Sequence, residues 1–482
     1  MAAQTLYWHD YETTGADARR DRPLQFAGLR TDLDLNPVEE PAVVYCRPPA
    51  DVLPAPAACA ITGITPQRAE HDGVCEAEFA AAVLEELARP GTCALGYNSL
   101  RFDDEVTRHL LWRNLYDAYA REWRDGNSRW DVIDVFRLAR ALRPEGFEWP
   151  DHESGMPSFR LEDLARANGV EHDAHDALAD VQATIELTRR LRSAQPKLYE
   201  WAFSRRDKRS AADLLVPGGQ PVLHVSEKYG AARGCIAPVV ALAEHPSNRN
   251  GMIVADLAGD IGPLLEWDAE ALAQALFTPA AEREADTPWI PLKVVKLNAA
   301  PVLAPMGTLS GEAAERLGID PEHTRDVLQV LQETADLAGR VREVFAPPTA
   351  EPGDVDVALY EGFVSDADRD RMDAVHRRAP EELATFDPGF TDARLQEVYF
   401  RYRARNWPAS LSAAEAERWR GLRSVRLLAG GAGSPRSLAD FREQLADAVA
   451  SGLVSVELAG ELEAWAGSLT ADLAAAGAGT DA

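Results

Sequence analysis

The sequence predicts an α/β domain, then a small β-rich domain, then an all-helical one. Three observations carry this. Strand-like runs come first and then alternate with helical spacing up to about Arg192. A stretch from Ser193 onward is dense in short apolar runs. The cluster Ala346-Pro347-Pro348-Thr349-Ala350-Glu351-Pro352-Gly353 then marks a boundary before long helical patterns. A chain of 482 residues suits two or three separate cores. The expected domains are 1–194, 195–346 and 354–477.

In the first segment, Leu6–Tyr11, Leu24–Thr31 and Ala42–Cys46 read as strands with turn material between them. Phe79–Ala88 has helical apolar spacing, Thr92–Tyr97 reads as a buried strand, and Glu105–Arg113 as a helix. In the second, Pro221–Val225, Ile236–Ala241, Gly251–Ala255 and Pro291–Leu297 read as strands of a small barrel, with helix inserted near Asp268–Leu276. In the third, Asp366–His376 and Ala413–Leu427 are helical, and the Ala/Gly-rich end from Ala474 is expected to fray.

Composition bounds the class. Hydrophobic residues at 46% and charged residues at 27% belong to a soluble globular chain. No apolar run reaches the roughly 20 residues of a membrane span, and the N-terminus has no basic, apolar leader. The cysteines, Cys46, Cys59, Cys75, Cys93 and Cys235, are odd in number and form no C-x-x-C pair. Neither a disulfide framework nor a zinc site is expected, and a reducing cytoplasm fits. The formal net charge of -28 argues against phosphate binding over the whole surface. An acidic shell still permits a local basic groove, so sites must be sought in local clusters.

Three clusters bear chemistry. In His9-Asp10-Tyr11-Glu12-Thr13, Asp10 and Glu12 stand two apart on a strand and share one face. Paired carboxylates without a base between them repel unless a cation joins them, and oxygen ligands favour magnesium or manganese over zinc. In Gly96–Glu105, a strand leads through Asn98 into a helix that starts near Asp103. In His175–Asp180, His175 lies in a loop and Asp180 in the first turns of the next helix. Taken singly, each has a plain structural reading: solvated acids, a helix cap at Asp103 or Asp104, a loop histidine.

In this order, Asp10/Glu12, Asn98…Asp103 and His175…Asp180 resemble the DEDDh exonuclease superfamily, as does Ile61-Thr62-Gly63-Ile64-Thr65-Pro66 between the first two. Further stretches (His9–Thr13, Arg101–Arg108, Asn127–Asp131, Pro157–Glu162 and Arg401–Asn406) resemble the bacterial exodeoxyribonuclease I family. The likeness covers nearly the whole chain, close in the first third and patchier from about Pro263. It implies a ribonuclease H-like exonuclease domain, an SH3-like β-barrel and a helical domain. It implies 3′-to-5′ removal of nucleoside 5′-monophosphates from single-stranded DNA, in DNA repair and recombination. The second and third domains would close around a strand, a passage too narrow for a duplex. The tail of single-strand DNA-binding protein is the family's acidic partner. The acidic, Ala-rich C-terminus departs from the family pattern.

On this reading Asp10, Glu12, Asp103 and Asp180 hold two Mg²⁺ ions, with Mn²⁺ a possible substitute. His175 takes the proton from the attacking water, and Glu12 reaches the terminal 3′ hydroxyl. Arg108, Arg113, Tyr116, Tyr119, Trp123, Arg129 and Trp130 interleave basic and aromatic groups as a single strand needs. Trp130, in an apolar helical pattern, is expected in the core. Phe159, Arg137, Asn250 and Lys293 join the candidate contacts, and the resemblance places Arg160 on a terminal phosphate. The run Tyr399–Trp407 is the most basic-aromatic in the chain, and its alternation sets arginines on one face and aromatics in the core. A monomer suffices to enclose a strand. Two other readings keep the fold: a DEDDh exoribonuclease, and a catalytically inactive single-strand-binding module. Length disfavours the first and the intact acidic set the second.

Overall fold

The first strand, β1 (Thr5–Thr13), organises the N-terminal part. It pairs antiparallel with β2 (Pro23–Thr31), with Tyr11 opposite Phe26 and a register shift between Glu12 and Thr13. β3 (Ala42–Tyr45) extends β2, and β4 (Thr92–Gly96) runs parallel to β1 with Trp8 opposite Leu95. β1 is therefore an interior strand, which explains burial on both faces. Tyr7 and Tyr11 on one face join a core with Phe26, Phe79, Val83, Leu87, Val106 and Leu110. This core is covered by the helices Glu76–Leu87 and Asp103–Arg113. The opposite face carries Leu6, Trp8, Asp10 and Glu12.

The computed structural model describes residues 4–172, 176–279, 282–283, 287–346 and 353–477, without the side chains of 474–477. It divides into two units: one takes 1–128, 173–182 and 351–482, the other 129–172 and 183–350. The helical segment thus packs with the N-terminal segment. Its helices include Asp366–His376, Ala393–Asn406, Ala413–Ala429, Leu438–Ala450 and Val456–Gly477. Ser365, Asp392, Ser412 and Ser437 cap four of them by accepting backbone N–H groups. Leu395, Val398 and Tyr402 pack with Leu111, Trp112 and Leu115. Phe441 and Leu462 pack with Leu53 and Cys59.

A buried charge network reinforces that packing. Asp356 accepts from Arg22 at 2.9 Å and from Arg405 at 2.5 Å. Asp51 pairs with Arg405 at 2.7 Å and Arg426 at 3.0 Å, and Arg401 with Asp354 at 2.7 Å. This corrects the expected alternation in Tyr399–Trp407. The run lies in the helix Ala393–Asn406, and the side chains of Arg401, Arg403 and Arg405 are all buried against carboxylates. On a helix Arg401 and Arg405 share a face and Arg403 does not; Arg403 turns instead to Glu415.

β5 (Ser128–Asp131) opens at the last residue of the first unit's long N-terminal segment. In the second unit β6 (Val222–Val225), β7 (Ile236–Glu244), β8 (Gly251–Asp256), β9 (Leu292–Lys296) and β10 (Leu303–Pro305) form an antiparallel sheet. Its order is β10-β6-β7-β8-β9, with a register shift between Ala241 and Ala243. The expected inserted helix is Ala269–Phe277. Three further helices follow, Gly311–Leu317, Pro321–Glu333 and Leu337–Val344, which the strand-rich reading passed over. Their start signals were local: Ser310 and Asp320 as caps, and Pro321 at a first helical position. Val327, Leu331, Val341 and Val344 bury against Val240, Ile253 and Ala255. No helix among the described residues is long and apolar enough to cross a membrane.

Candidate active site

Three chain segments of the first unit supply the four candidate carboxylates, and oxygens from three of the four converge. Asp10 and Glu12 come from β1, as their spacing predicts. Asp180 lies in the first turn of the helix Ala177–Ala194. That helix starts on Asp176, whose carboxylate accepts from the Ala179 N–H at 3.0 Å and whose carbonyl accepts from the Asp180 N–H at 2.9 Å. One oxygen each from Asp10, Glu12 and Asp180 lie within 4.8 Å of one another.

The fourth carboxylate depends on how β4 ends. A Cβ at Gly96 would sit 2.7 Å from the His9 carbonyl, so only glycine lets the chain pass β1 this closely. Asn98 then takes a φ of 64°, a conformation asparagine tolerates, and turns the chain into the helix Asp103–Arg113. Asp103 Oδ1 accepts the Tyr11 N–H at 3.1 Å. Neither Asp103 nor Asp104 caps that helix: they are its first two residues, and Phe102 stands at the cap without a side-chain bond. His175 lies outside the described residues.

Electrostatics fits a cation. Burial raises the Asp10 carboxyl well above its ordinary range, and Asp103 and Asp180 raise it further. Glu12 is pushed up to about 9 by burial, then by Asp10, Asp180 and Asp176. Like charges in a poorly solvated place cannot all ionise without a counter-ion. All donors are carboxylate oxygens, the set that suits hard divalent ions.

The candidate strand contacts scatter in character. Arg108 pairs with Glu122 at 2.7 Å and Glu105 at 2.6 Å and sits over the Tyr119 ring at 5.6 Å. Trp123 is 64% exposed. Arg113 is no groove residue: it is buried in an ion pair with Glu76 at 2.8 Å. Tyr116 stacks on His376 at 3.8 Å. In the second unit, Arg160 is exposed beside Glu162, and Phe159 is buried with Arg137 and Arg140 over its ring. Arg137 pairs with Asp134 at 2.7 Å. Asn250 accepts from Lys208 at 2.6 Å, and Lys293 lies 4.9 Å over Tyr229. Arg129 donates to the Asn298 carbonyl. Trp130 is in the core as expected, but on strand β5 and not on a helix.

Sequence reasoning missed two aromatics. Tyr360 and Phe363, 46% and 88% exposed, line a cavity of about 170 Å³ with Trp112, Tyr116 and Tyr119. Tyr360 ends the short 3-10 turn Ala358–Tyr360 and Phe363 follows just after it, a stretch too short for periodicity to single them out.

A mixed sheet whose interior strand carries two acids, joined by acids from two helix starts, defines a metal-dependent nuclease of the exonuclease class. The exonuclease family model matches residues 7–188, the exonuclease I SH3-like domain 206–347, and the exonuclease I C-terminal domain 353–469. Exodeoxyribonuclease I of Escherichia coli is 48% identical over 419 residues, 86% of this chain and 88% of that one. An exonuclease I structure from Methylocaldum szegediense is 50% identical, with a TM-score of 0.92 over 97% of this chain and all of that one. A zinc-bound complex of the Escherichia coli enzyme with single-stranded DNA is 44% identical, with the same TM-score and coverage. An SSB/exonuclease I structure holding an inhibitor is 43% identical, with a TM-score of 0.89 over 97% of this chain and all of that one. The chain belongs to the exodeoxyribonuclease I family. Its exonuclease domain carries dependence on a divalent metal, and the carboxylate cluster offers the ligands.

Proposed function

We propose that Asp10, Glu12, Asp103 and Asp180 hold two Mg²⁺ ions for hydrolysis of single-stranded DNA from its 3′ end, with nucleoside 5′-monophosphates as product. The convergence of the Asp10, Glu12 and Asp180 oxygens supports this most directly. When bound, the ions supply Lewis-acid charge where negative charge builds on the phosphate and the leaving oxygen. Glu12 also orients the terminal 3′ hydroxyl, which gives the polarity. His175 accepts the proton of the attacking water, a task that suits an imidazole near neutral pH. Tyr119, Trp123, Tyr360 and Phe363 offer ring faces on which bases stack, and the exposed Arg160 binds a phosphate. The SSB/exonuclease I relative supports SSB as a further partner.

The deciding experiment digests two labelled DNA oligomers, one blocked at its 3′ end and one at its 5′ end, with magnesium and with chelator. Survival of only the 3′-blocked oligomer, with all release stopped by chelator, is the expected result. Digestion of both, or of neither with metal present, overturns the reading. His175→Ala is expected to slow turnover about 10²- to 10⁴-fold while leaving calorimetric Mn²⁺ binding and DNA affinity intact; wild-type turnover would remove its role.

The raised Glu12 carboxyl gives a pH prediction. An acid whose folded pKa lies at about 9 stays protonated where an ordinary glutamate ionises, so metal binding must displace its proton below that pH. The rise in melting temperature on adding Mg²⁺ is therefore expected to grow as pH climbs from acid toward 9. A gain that is flat with pH in thermal melts would contradict it.

A further inference from the structure

We infer that Arg121 is a positioning residue for Asp103, acting through Asp104. This rests on the reading of Asp103 as a metal ligand. Asp103 and Asp104 are consecutive, buried and at the start of one helix. Arg121 is wholly buried, and its Nη2 lies 2.6 Å from Asp104 Oδ1. The arginine is itself fixed to the sheet. Its carbonyl accepts from Asn127 Nδ2 at 3.2 Å, and Asn127 Oδ1 accepts from the N–H of Thr92, the first residue of β4, at 3.0 Å.

Stability alone does not account for this arginine. Its Nε and Nη1 have no acceptor among the described residues. Unmet buried donors are costly, and a buried ion pair is often no better than apolar residues of the same volume. The pair does something apolar residues cannot: it fixes the rotation of the helix start. Asp104 is held by its side chain to Arg121 and by its N–H to the Ser99 carbonyl at 2.9 Å. With Asp104 turned that way, Asp103 is left facing β1, where Oδ1 accepts the Tyr11 N–H. Thr107 closes the arrangement: its hydroxyl donates to the Asp103 carbonyl at 2.8 Å and lies 2.9 Å from the Tyr11 hydroxyl. The direction of the second Asp103 oxygen follows from these constraints, and Arg121 is the charge that sets them.

The test compares Arg121→Met, Asp104→Asn, their double variant and Arg121→Lys in two measurements: calorimetric Mn²⁺ binding, and the Mn²⁺ concentration giving half-maximal digestion of single-stranded DNA. Arg121→Met and Asp104→Asn are each expected to weaken Mn²⁺ binding about 10- to 100-fold, as loss of a partner behind a ligand does. kcat at saturating metal should stay within about two-fold, because the transition-state contacts are unchanged. The double variant should be no worse than either single one, and Arg121→Lys should recover most of the loss. Folded Arg121→Met with wild-type Mn²⁺ affinity overturns the inference, as do single losses that multiply in the double variant. If Arg121→Met does not fold, the nearly isosteric Asp104→Asn decides by the same affinity criterion. Asp103→Asn separates the two readings: wild-type Mn²⁺ binding there removes Asp103 as a ligand. Lost binding in Asp103→Asn beside an unaffected Arg121→Met removes only the positioning role.

Discussion

Asp180→Ala is expected to lower turnover by more than about 10³-fold, the scale on which loss of a preorganised electrostatic group is felt. It should also abolish the melting-temperature gain that Mg²⁺ gives. Asp180 is one of three residues whose oxygens meet within 4.8 Å, and it raises the carboxyls of both Asp10 and Glu12. Its removal therefore acts in opposite directions on metal binding and on the metal-free fold. A ligand is lost, yet two buried acids are relieved of a like charge. The metal-free variant is expected to melt no lower than the metal-free wild type. Mononucleotide release and thermal melts with and without Mg²⁺ check both parts. A wild-type Mg²⁺ gain in the variant would mean that the cation binds without Asp180.

The second large effect concerns stability. Asp356→Ala is expected to destabilise the first unit by about 3–5 kcal/mol, the usual cost of removing one partner from a buried charge group. Asp356 is 2% exposed, and Arg22, Arg401, Arg405 and Arg426 all lie within 3.5 Å of its Oδ2. Without it these cations keep their burial and lose their main counter-charge. The same arginines hold the Asp356 carboxyl well below its ordinary value, and Asp51 is lowered likewise, chiefly by Arg405 and Arg426. For an acid with a depressed folded pKa, the stabilisation is fully present above the unfolded value near 4. It is lost as pH falls through the folded one. Acid denaturation at pH 4 and below should therefore be steep in the wild type and shallower in Asp356→Ala. Urea titrations at pH 7 and pH 3 measure it; a variant within about 1 kcal/mol of wild type at pH 7 would contradict the assignment.

The arginines of that network show where sequence reading stops. Arg401-Tyr402-Arg403-Ala404-Arg405 invites the expectation of a single basic face because every second residue is basic. In the helix, Arg405 finds Asp51 more than 350 residues away, and Arg401 finds Asp354. Arg113 and Glu76 make the same point in the N-terminal part. Whether a cation meets solvent, DNA or a buried acid depends on partners that no local window contains. Arg121 is the sharpest case, since it is set in a short, irregular stretch and is known as a partner of Asp104 only from the folded chain.

What the sequence by itself determined was local. The strand carrying Asp10 and Glu12, the helix starts at Asp103 and Asp180, and the main helical spans follow from periodicity, caps and turn residues within a few positions. The family's motif order was legible for the same reason, because each motif is a short run with fixed spacing. Only tertiary structure decided which acids share a site, which arginines are used up in the core, and that the helical segment packs with the N-terminal segment. Those outcomes depend on burial and on charges brought together from distant parts of the chain. The energy of a charge is set by its surroundings in space, which the order of residues does not state.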